Sequence, residues 1–419
     1  MKKLNDYLLK IGKFEYKPLI IGAMGVDIST KSLALAAAEA GCIGHISDAM
    51  ITVVTDRHYG THYVNDKLKR YQSQRGNWDK SSICFDLDEV REAARLYAED
   101  VMRDKRGSGA IFANCMEKLT MNEDKPTLAA RLNGLLDGGI DGITLAAGLH
   151  MGSFAMMQEH PRFHEAKLGI IVSSARALRI FLLKNKKSGR LPDFVIVEGP
   201  LAGGHLGFSI AELKKHTLQG LVKEVCEFIE KADLDIPVIA AGGVFSGGDA
   251  LEMIECGAKA VQVATRFTIS KESGLPDKAK QAYLRARDED IVVRGISPTG
   301  YPMRLLRQSP TLGKGGRPNC EAFGYLLTNN GTCTYIDAYL REAAKGEPIS
   351  VQDKICMCTA MRNYQCWTCG ATTSRLKHTA KQLPNGEYEL PSAHEIIRDY
   401  LYNTSAADAP ISLVDSQIK

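Results

Sequence analysis

The sequence predicts a TIM-type (β/α)8 barrel with a smaller, mainly helical, cysteine-bearing C-terminal segment. Three observations carry this. Eight short apolar runs alternate with amphipathic stretches between Pro18 and about Phe267. The runs are rich in Ile and Val and bounded by Gly, Pro and Asp, as strands buried on both faces are. Glycine pairs follow the sixth and seventh runs, where a barrel carries its ligand loops. An open doubly wound sheet is the competing architecture.

In chain order the runs are PLIIGAM (18–24), CIGHIS (42–47), GAIFANCM (109–116), GITLAAG (142–148), KLGIIVSS (167–174), FVIVEG (194–199), PVIAAGG (237–243) and AVQVATRF (260–267). Between them lie helical patterns. SLALAAAEAGC opens on a Ser that can cap a helix and closes on a Gly that can end one. In TLQGLVKEVCEFIEKA, Leu221, Val225, Phe228 and Ile229 recur on one helical face. Residues 48–87 interrupt the rhythm with a polar, aromatic insertion too long for an ordinary connector. It follows the C-terminal end of a strand, so it reads either as part of an active-site lid or as a surface loop. A helical stretch near 276–287 follows the last run, and beyond about residue 310 the character changes. The expected division is therefore residues 1–310 for the barrel and 311–419 for the appendage.

The chain's 419 residues exceed the roughly 250 of a simple barrel, which leaves room for that appendage. Hydrophobic content of 44% and charged content of 24% match a soluble globular protein with a sizeable core. A net charge of +4, with no basic run interleaved with aromatics, argues against nucleic acid. No signal-peptide core and no apolar stretch of about 18 residues occurs, so a cytoplasmic, non-membrane protein is expected, with homo-oligomerisation left open. Eleven cysteines in that compartment should be thiols or metal ligands.

Gly242 and Gly243 end the seventh run, and SGGDALEMIECG then opens a helix with Ser246 or Asp249 near its start. Glycines let a backbone approach a phosphate closely, and amides there point at the anion. Ala264, Thr265 and Arg266 end the eighth run and add amides, a hydroxyl and a cation. After the sixth run, VEGPLAGGHLGF places His205 among four glycines at a strand end. An imidazole there suits proton transfer near neutral pH. His45 and His150 compete for the same rim, each with a structural reading beside the catalytic one.

Four segments, PLIIGAMG, FANCM, EGPLAGGH and AAGGVFSGGDALEMIECGAKAVQVATRF, resemble in order and spacing a family of flavin-dependent barrel enzymes. It comprises the nitronate monooxygenases (2-nitropropane dioxygenases) and the flavin-dependent enoyl-acyl-carrier-protein reductases, and the resemblance spans about residues 18–310. It implies FMN over the barrel mouth, with Ala23 and Met24 against the ring, Asn114 hydrogen-bonded to it and Ser173 at the fifth strand end. The phosphate would rest on Gly203, Gly204, Gly242, Gly243, Ala264 and Thr265, and His205 would face the substrate. The leading activity is oxidation of alkyl nitronates or nitroalkanes. The alternatives are an NAD(P)H-dependent enoyl-thioester reductase and a flavin-free barrel for a phosphorylated metabolite. The insertion, the tail and the missing proline or glutamine of the first motif depart from the family's short members.

Cys42, Cys84, Cys115, Cys226 and Cys256 lie in or beside apolar runs and read as small core residues. In the tail, ICMCTAMRNYQCWTCG brings Cys356, Cys358, Cys366 and Cys369 close in sequence, a candidate ligand set for zinc or an iron–sulfur cluster. Cys320 and Cys333 could replace two of these; unligated thiols or a redox pair are the alternative.

Overall fold

The computed structural model describes residues 2–118, 122–328 and 330–403. The end of the expected C-terminal segment, 404–419, lies outside the described residues. Eight strands form at the eight apolar runs: β1 (Leu19–Ile21), β2 (Ile43–Ser47), β3 (Ala110–Met116), β4 (Gly142–Ala146), β5 (Lys167–Val172), β6 (Phe194–Glu198), β7 (Val238–Ala241) and β8 (Ala260–Val263). Each pairs in parallel with its sequence neighbours, and β8 returns to β1, so the sheet is a closed (β/α)8 barrel.

The apolar runs have two faces to bury. Alternate residues point inward, and Ile20, Ile43, Phe112, Phe194, Ile196 and Ile239 fill the lumen as one cluster. A hairpin of Leu9–Ile11 and Phe14–Tyr16 closes the floor, lending Leu9, Ile11 and Tyr16 to the same cluster. The other face of each strand packs on the helical ring. Each fully buried Ile or Phe contributes on the order of 1.5–3 kcal/mol, so both faces matter to stability.

The helices follow their sequence patterns with one adjustment. Thr30, not Ser32, caps the helix Lys31–Glu39, its Oγ1 accepting from the Leu33 amide at 3.1 Å. That helix lies so close to β2 that a Cβ on Gly44 would stand 2.6 Å from the Ala34 carbonyl oxygen. The helix Leu218–Lys231 buries Leu221, Val225 and Ile229, with Phe228 partly covered.

The insertion 48–87 folds into the helices Ile51–His58 and Tyr63–Arg70 and then meets the C-terminal segment. Lys67 Nζ donates to the carbonyls of Cys320 (3.0 Å) and Glu321 (3.1 Å), Lys80 pairs with Glu321, and Phe85 packs on Tyr325 with ring centroids 4.5 Å apart. Of the two sequence readings, neither lid nor surface loop describes this: the segment is the platform on which the tail rests. Tyr325, Leu327, Ile336 and Ile396 of the tail share one apolar core with the barrel's helical layer.

Candidate functional site

The strand ends place a ring of polar side chains at the top of the lumen. Asn114 continues the inward parity of Ala110 and Phe112, Ser173 that of Ile171, Glu198 that of Phe194 and Ile196, and Gln262 that of Ala260. None of the four side chains makes a hydrogen bond to protein among the described residues. Beneath them, His45 occupies the barrel interior with Nδ1 on the Ile21 carbonyl (2.9 Å) and Nε2 on Thr144 Oγ1 (2.8 Å). His45 is a fully satisfied core histidine, which removes it as a catalytic candidate. His150 is removed likewise, with Nδ1 on Ser153 Oγ (2.8 Å) and Nε2 on the Ala146 carbonyl (2.7 Å).

His205 has a different setting. It lies in the two-residue strand Gly204–His205, antiparallel to Met303–Leu306, which in turn pairs with Ile291–Arg294. Its Nε2 meets Ser297 Oγ at 2.7 Å, and Ser297 Oγ meets Thr299 Oγ1 at 2.7 Å. Nδ1 has no hydrogen-bond partner among the described residues. Burial pushes the imidazole down to about 4, so it is neutral at pH 7. The preceding loop is clamped by Arg304, whose guanidinium donates to the carbonyls of Ala202 and, at 3.0 Å, Pro200.

At the first strand end, the Met24 amide donates to Ser29 Oγ (2.8 Å), and Thr268 Oγ1 donates to Met24 Sδ (3.2 Å). Ala23 and Met24 thereby turn from β1 across the barrel mouth, both partly exposed. Gly242 and Gly243 follow β7 with φ of +92° and +104°, a left-handed pair in which a Cβ would press on Gly199 and Leu201. Ala264 and Thr265 end β8 beside them, both partly exposed.

Two sequence expectations are corrected at this end. Arg266 turns away to pair with Asp399 at 2.7 Å, its guanidinium over the Tyr400 ring. At the start of the helix Gly247–Glu255 the side chains of Ser246 and Asp249 are spent on a capping box: Ser246 Oγ accepts from Asp249 N, and Asp249 Oδ2 accepts from Ser246 N. Arg266 is therefore committed to Asp399, and the Ser246 and Asp249 side chains to the helix's own cap.

The C-terminal segment supplies a wall that the sequence did not reveal. Residues Cys366–Ala371 run beside Met303–Leu306, with Leu306 N donating to the Trp367 carbonyl (2.9 Å) and Ala371 N to the Leu201 carbonyl (3.1 Å). A Cβ on Gly203 would lie 2.7 Å from the Cys369 carbonyl carbon, and one on Gly370 would lie 2.4 Å from Thr265 Oγ1.

The tail cysteines do not form the set their spacing suggests. Cys356 and Cys358 line one cavity with Cys320 and Cys333, whereas Cys366 and Cys369 pack elsewhere, in two other apolar clusters. The chain reverses between the pairs at Tyr364, whose φ is +52°. Among the described residues, no three Cys, His, Asp or Glu side chains converge on a position for a single ion.

A family model described as nitronate monooxygenase matches residues 96–351, more than half of the sequence. The chain belongs to the nitronate monooxygenase family. A probable nitronate monooxygenase of Staphylococcus saprophyticus is 35% identical over 123 residues, covering 29% of this chain and 33% of the relative. One of Staphylococcus haemolyticus is 34% identical over 105 residues, covering 25% and 29%. The match thus spans a third or less of these curated relatives. FabK from Thermotoga maritima superposes with a TM-score of 0.56 at 20% identity, covering 96% of this chain and 95% of that one. A nitroalkane oxidase from Streptomyces ansochromogenes gives 0.50 at 20% identity, covering 91% and 94%. These likenesses show the barrel fold that the strand order describes. Among the described residues, no helix is long and apolar enough to cross a membrane.

Glu198 was missed in the sequence, although inward parity along FVIVE could have found it. Burial raises its carboxyl to about 7, with Arg304 opposing that rise. The folded chain therefore holds more protons here than the unfolded chain between about pH 4.5 and 7. This stabilisation is present below 4.5 and is lost as the pH rises through 7. His45 and His150 act in the opposite sense. Burial holds both down to about 4, so the unfolded chain gains protons first and stability falls as pH drops from 6.5 to 4, by roughly 3 kcal/mol for each. Glu198→Gln removes the compensating group. The melting temperature of this variant should fall more steeply than wild type between pH 7 and 4.5, and parallel curves would refute the raised carboxyl.

Proposed function

We propose that the chain is an FMN-dependent oxidoreductase acting on alkyl nitronates or nitroalkanes. Family membership and the part-buried, neutral His205 beside a polar strand-end ring support this reading. Two observations fit the residues to FMN. Asn114, Ser173, Glu198 and Gln262 present unpartnered polar groups at the mouth, where a ring edge and a ribityl chain need donors and acceptors. Gly242 and Gly243, with Ala264 and Thr265, form an uncharged backbone cradle for the phosphate. Gly203 and Gly204 bring the main chain close to it, and Ala23 and Met24 would lie against the ring.

When bound, FMN supplies the redox chemistry. The protein's share is proton handling and orientation. Neutral His205 can take the proton from the carbon next to the nitro nitrogen, or hold the substrate by that group. With Nε2–H given to Ser297 Oγ, the lone pair lies on Nδ1, the nitrogen without a protein partner. The Arg304 clamp keeps the preceding loop fixed while that proton moves.

The deciding experiment mixes the purified chain anaerobically with ethyl nitronate or with NAD(P)H and follows flavin absorbance. The reading expects reduction by the nitronate and oxygen uptake without nicotinamide. Rapid reduction by NAD(P)H, followed by reoxidation by an enoyl thioester, would instead establish a reductase. A colourless, flavin-free protein would overturn both.

A further inference from the structure

Four of the tail cysteines form a site of their own. Cys320 opens the helix Cys320–Phe323, Cys333 caps the helix Thr334–Ala343, and Cys356 and Cys358 stand at the start of Met357–Arg362. All four line one cavity of about 350 Å³ including its open mouth. Its remaining wall is largely apolar, including Pro298, Leu326 and Ile336.

Among the four thiols, Cys356 Sγ donates to Thr359 Oγ1 at 3.3 Å. A second observation concerns charge. Lys67 and Lys80 are both buried beside Cys320, and the single carboxylate of Glu321 pairs with Lys80. Lys67 is held by two carbonyls and the Phe85 ring.

A single zinc ion needs its sulfurs about 2.3 Å from one centre, and no such convergence occurs among the described residues. In a [4Fe–4S] cubane each thiolate binds a different iron, so the ligands stand farther apart around a shared volume. We propose that Cys320, Cys333, Cys356 and Cys358 are the ligands of a [4Fe–4S] cluster. On ligation the four thiols lose their protons, and the anionic cluster would lie beside the two buried lysines Lys67 and Lys80. Pro298, in the cavity wall, is the neighbour of Ser297, the partner of His205. The cluster therefore sits beside the barrel mouth, and Cys366 and Cys369 take no part in it.

The test is anaerobic purification of the full chain, with reconstitution by ferrous iron and sulfide, followed by iron, sulfide and zinc analysis. The site predicts about four irons and four sulfides per chain, absorbance near 400 nm and a paramagnetic signal on dithionite reduction. Cys320→Ser and Cys358→Ser should each lose more than half of the iron, whereas Cys366→Ser and Cys369→Ser should keep it. In case the first two variants do not fold, alkylation of the wild-type holoprotein gives a second readout: residues 320, 333, 356 and 358 should resist the reagent until the iron is chelated. About two irons, one zinc, a metal-free folded chain after reconstitution, or iron loss that follows Cys366 or Cys369 would each overturn the assignment. Flavin is quantified separately, so a chain with iron and no flavin refutes only the FMN reading, and the reverse refutes only the cluster.

Discussion

His205→Asn should lower nitroalkane turnover by roughly 10²- to 10⁴-fold, the usual contribution of a positioned acid or base, since only the nitroalkane still carries the proton to be removed. The substitution keeps a planar polar side chain that can still meet Ser297, so the short strand Gly204–His205 and its pairing with Met303 should survive. FMN content should remain near wild type, because the residues proposed to cradle the phosphate lie at the ends of β7 and β8. The measurement is kcat and flavin stoichiometry on the same preparation. Near-normal turnover with retained flavin would sink the assignment. A joint loss of flavin and activity would instead show that His205 acts by holding the cofactor. The acid limb of the rate profile adds a check: a base held near 4 keeps its activity constant from pH 8 down to about 5.

The second large effect is expected at Gly370, a residue outside the barrel. Its added Cβ would stand 2.4 Å from Thr265 Oγ1, so Gly370→Val must push either the tail or Thr265 out of place. FMN affinity should fall at least about tenfold, since a single well-placed hydrogen bond to the cofactor is worth about 1.4 kcal/mol or more. Flavin titration by fluorescence quenching measures this, and circular dichroism with thermal melting shows whether the barrel remains folded. Unchanged affinity would separate the tail from the phosphate end altogether.

The barrel was legible because its strands are buried twice over. Ile43 faces the lumen while Cys42 and Ile46 face the helices, so hardly a polar residue interrupts the run. The glycine pair that ends β7 was legible for a related reason: a left-handed φ such as that of Gly243 strongly favours glycine. The tail was legible only in part: Cys320 and Cys333 stood as alternatives to two of the four clustered cysteines, but which two they would join was not readable. Spacing along ICMCTAMRNYQCWTCG counts residues but not direction, and the reversal at Tyr364 sends Cys366 and Cys369 back along Met303–Leu306. The partners of Cys356 and Cys358 are Cys320 and Cys333, more than twenty residues upstream and linked to them only through tertiary packing. Glu198 was hidden differently. It ends an apolar strand, where a carboxylate reads as the start of a turn, and only its parity with Ile196 shows that it faces the lumen.

The pairing of Lys80 with Glu321 also has a meaning in time. The two residues are separated by 241 positions, and Lys67 is 253 positions from the Cys320 carbonyl that receives it. At roughly 5–20 residues per second, the ribosome delivers the carboxylate about 12–50 seconds after the lysine. Throughout that interval the nascent barrel carries two cations that it cannot bury without desolvation cost. The insertion must stay hydrated until the last quarter of the chain arrives. A shortened gene ending at the barrel would accordingly yield an unfinished fold, not a simpler enzyme.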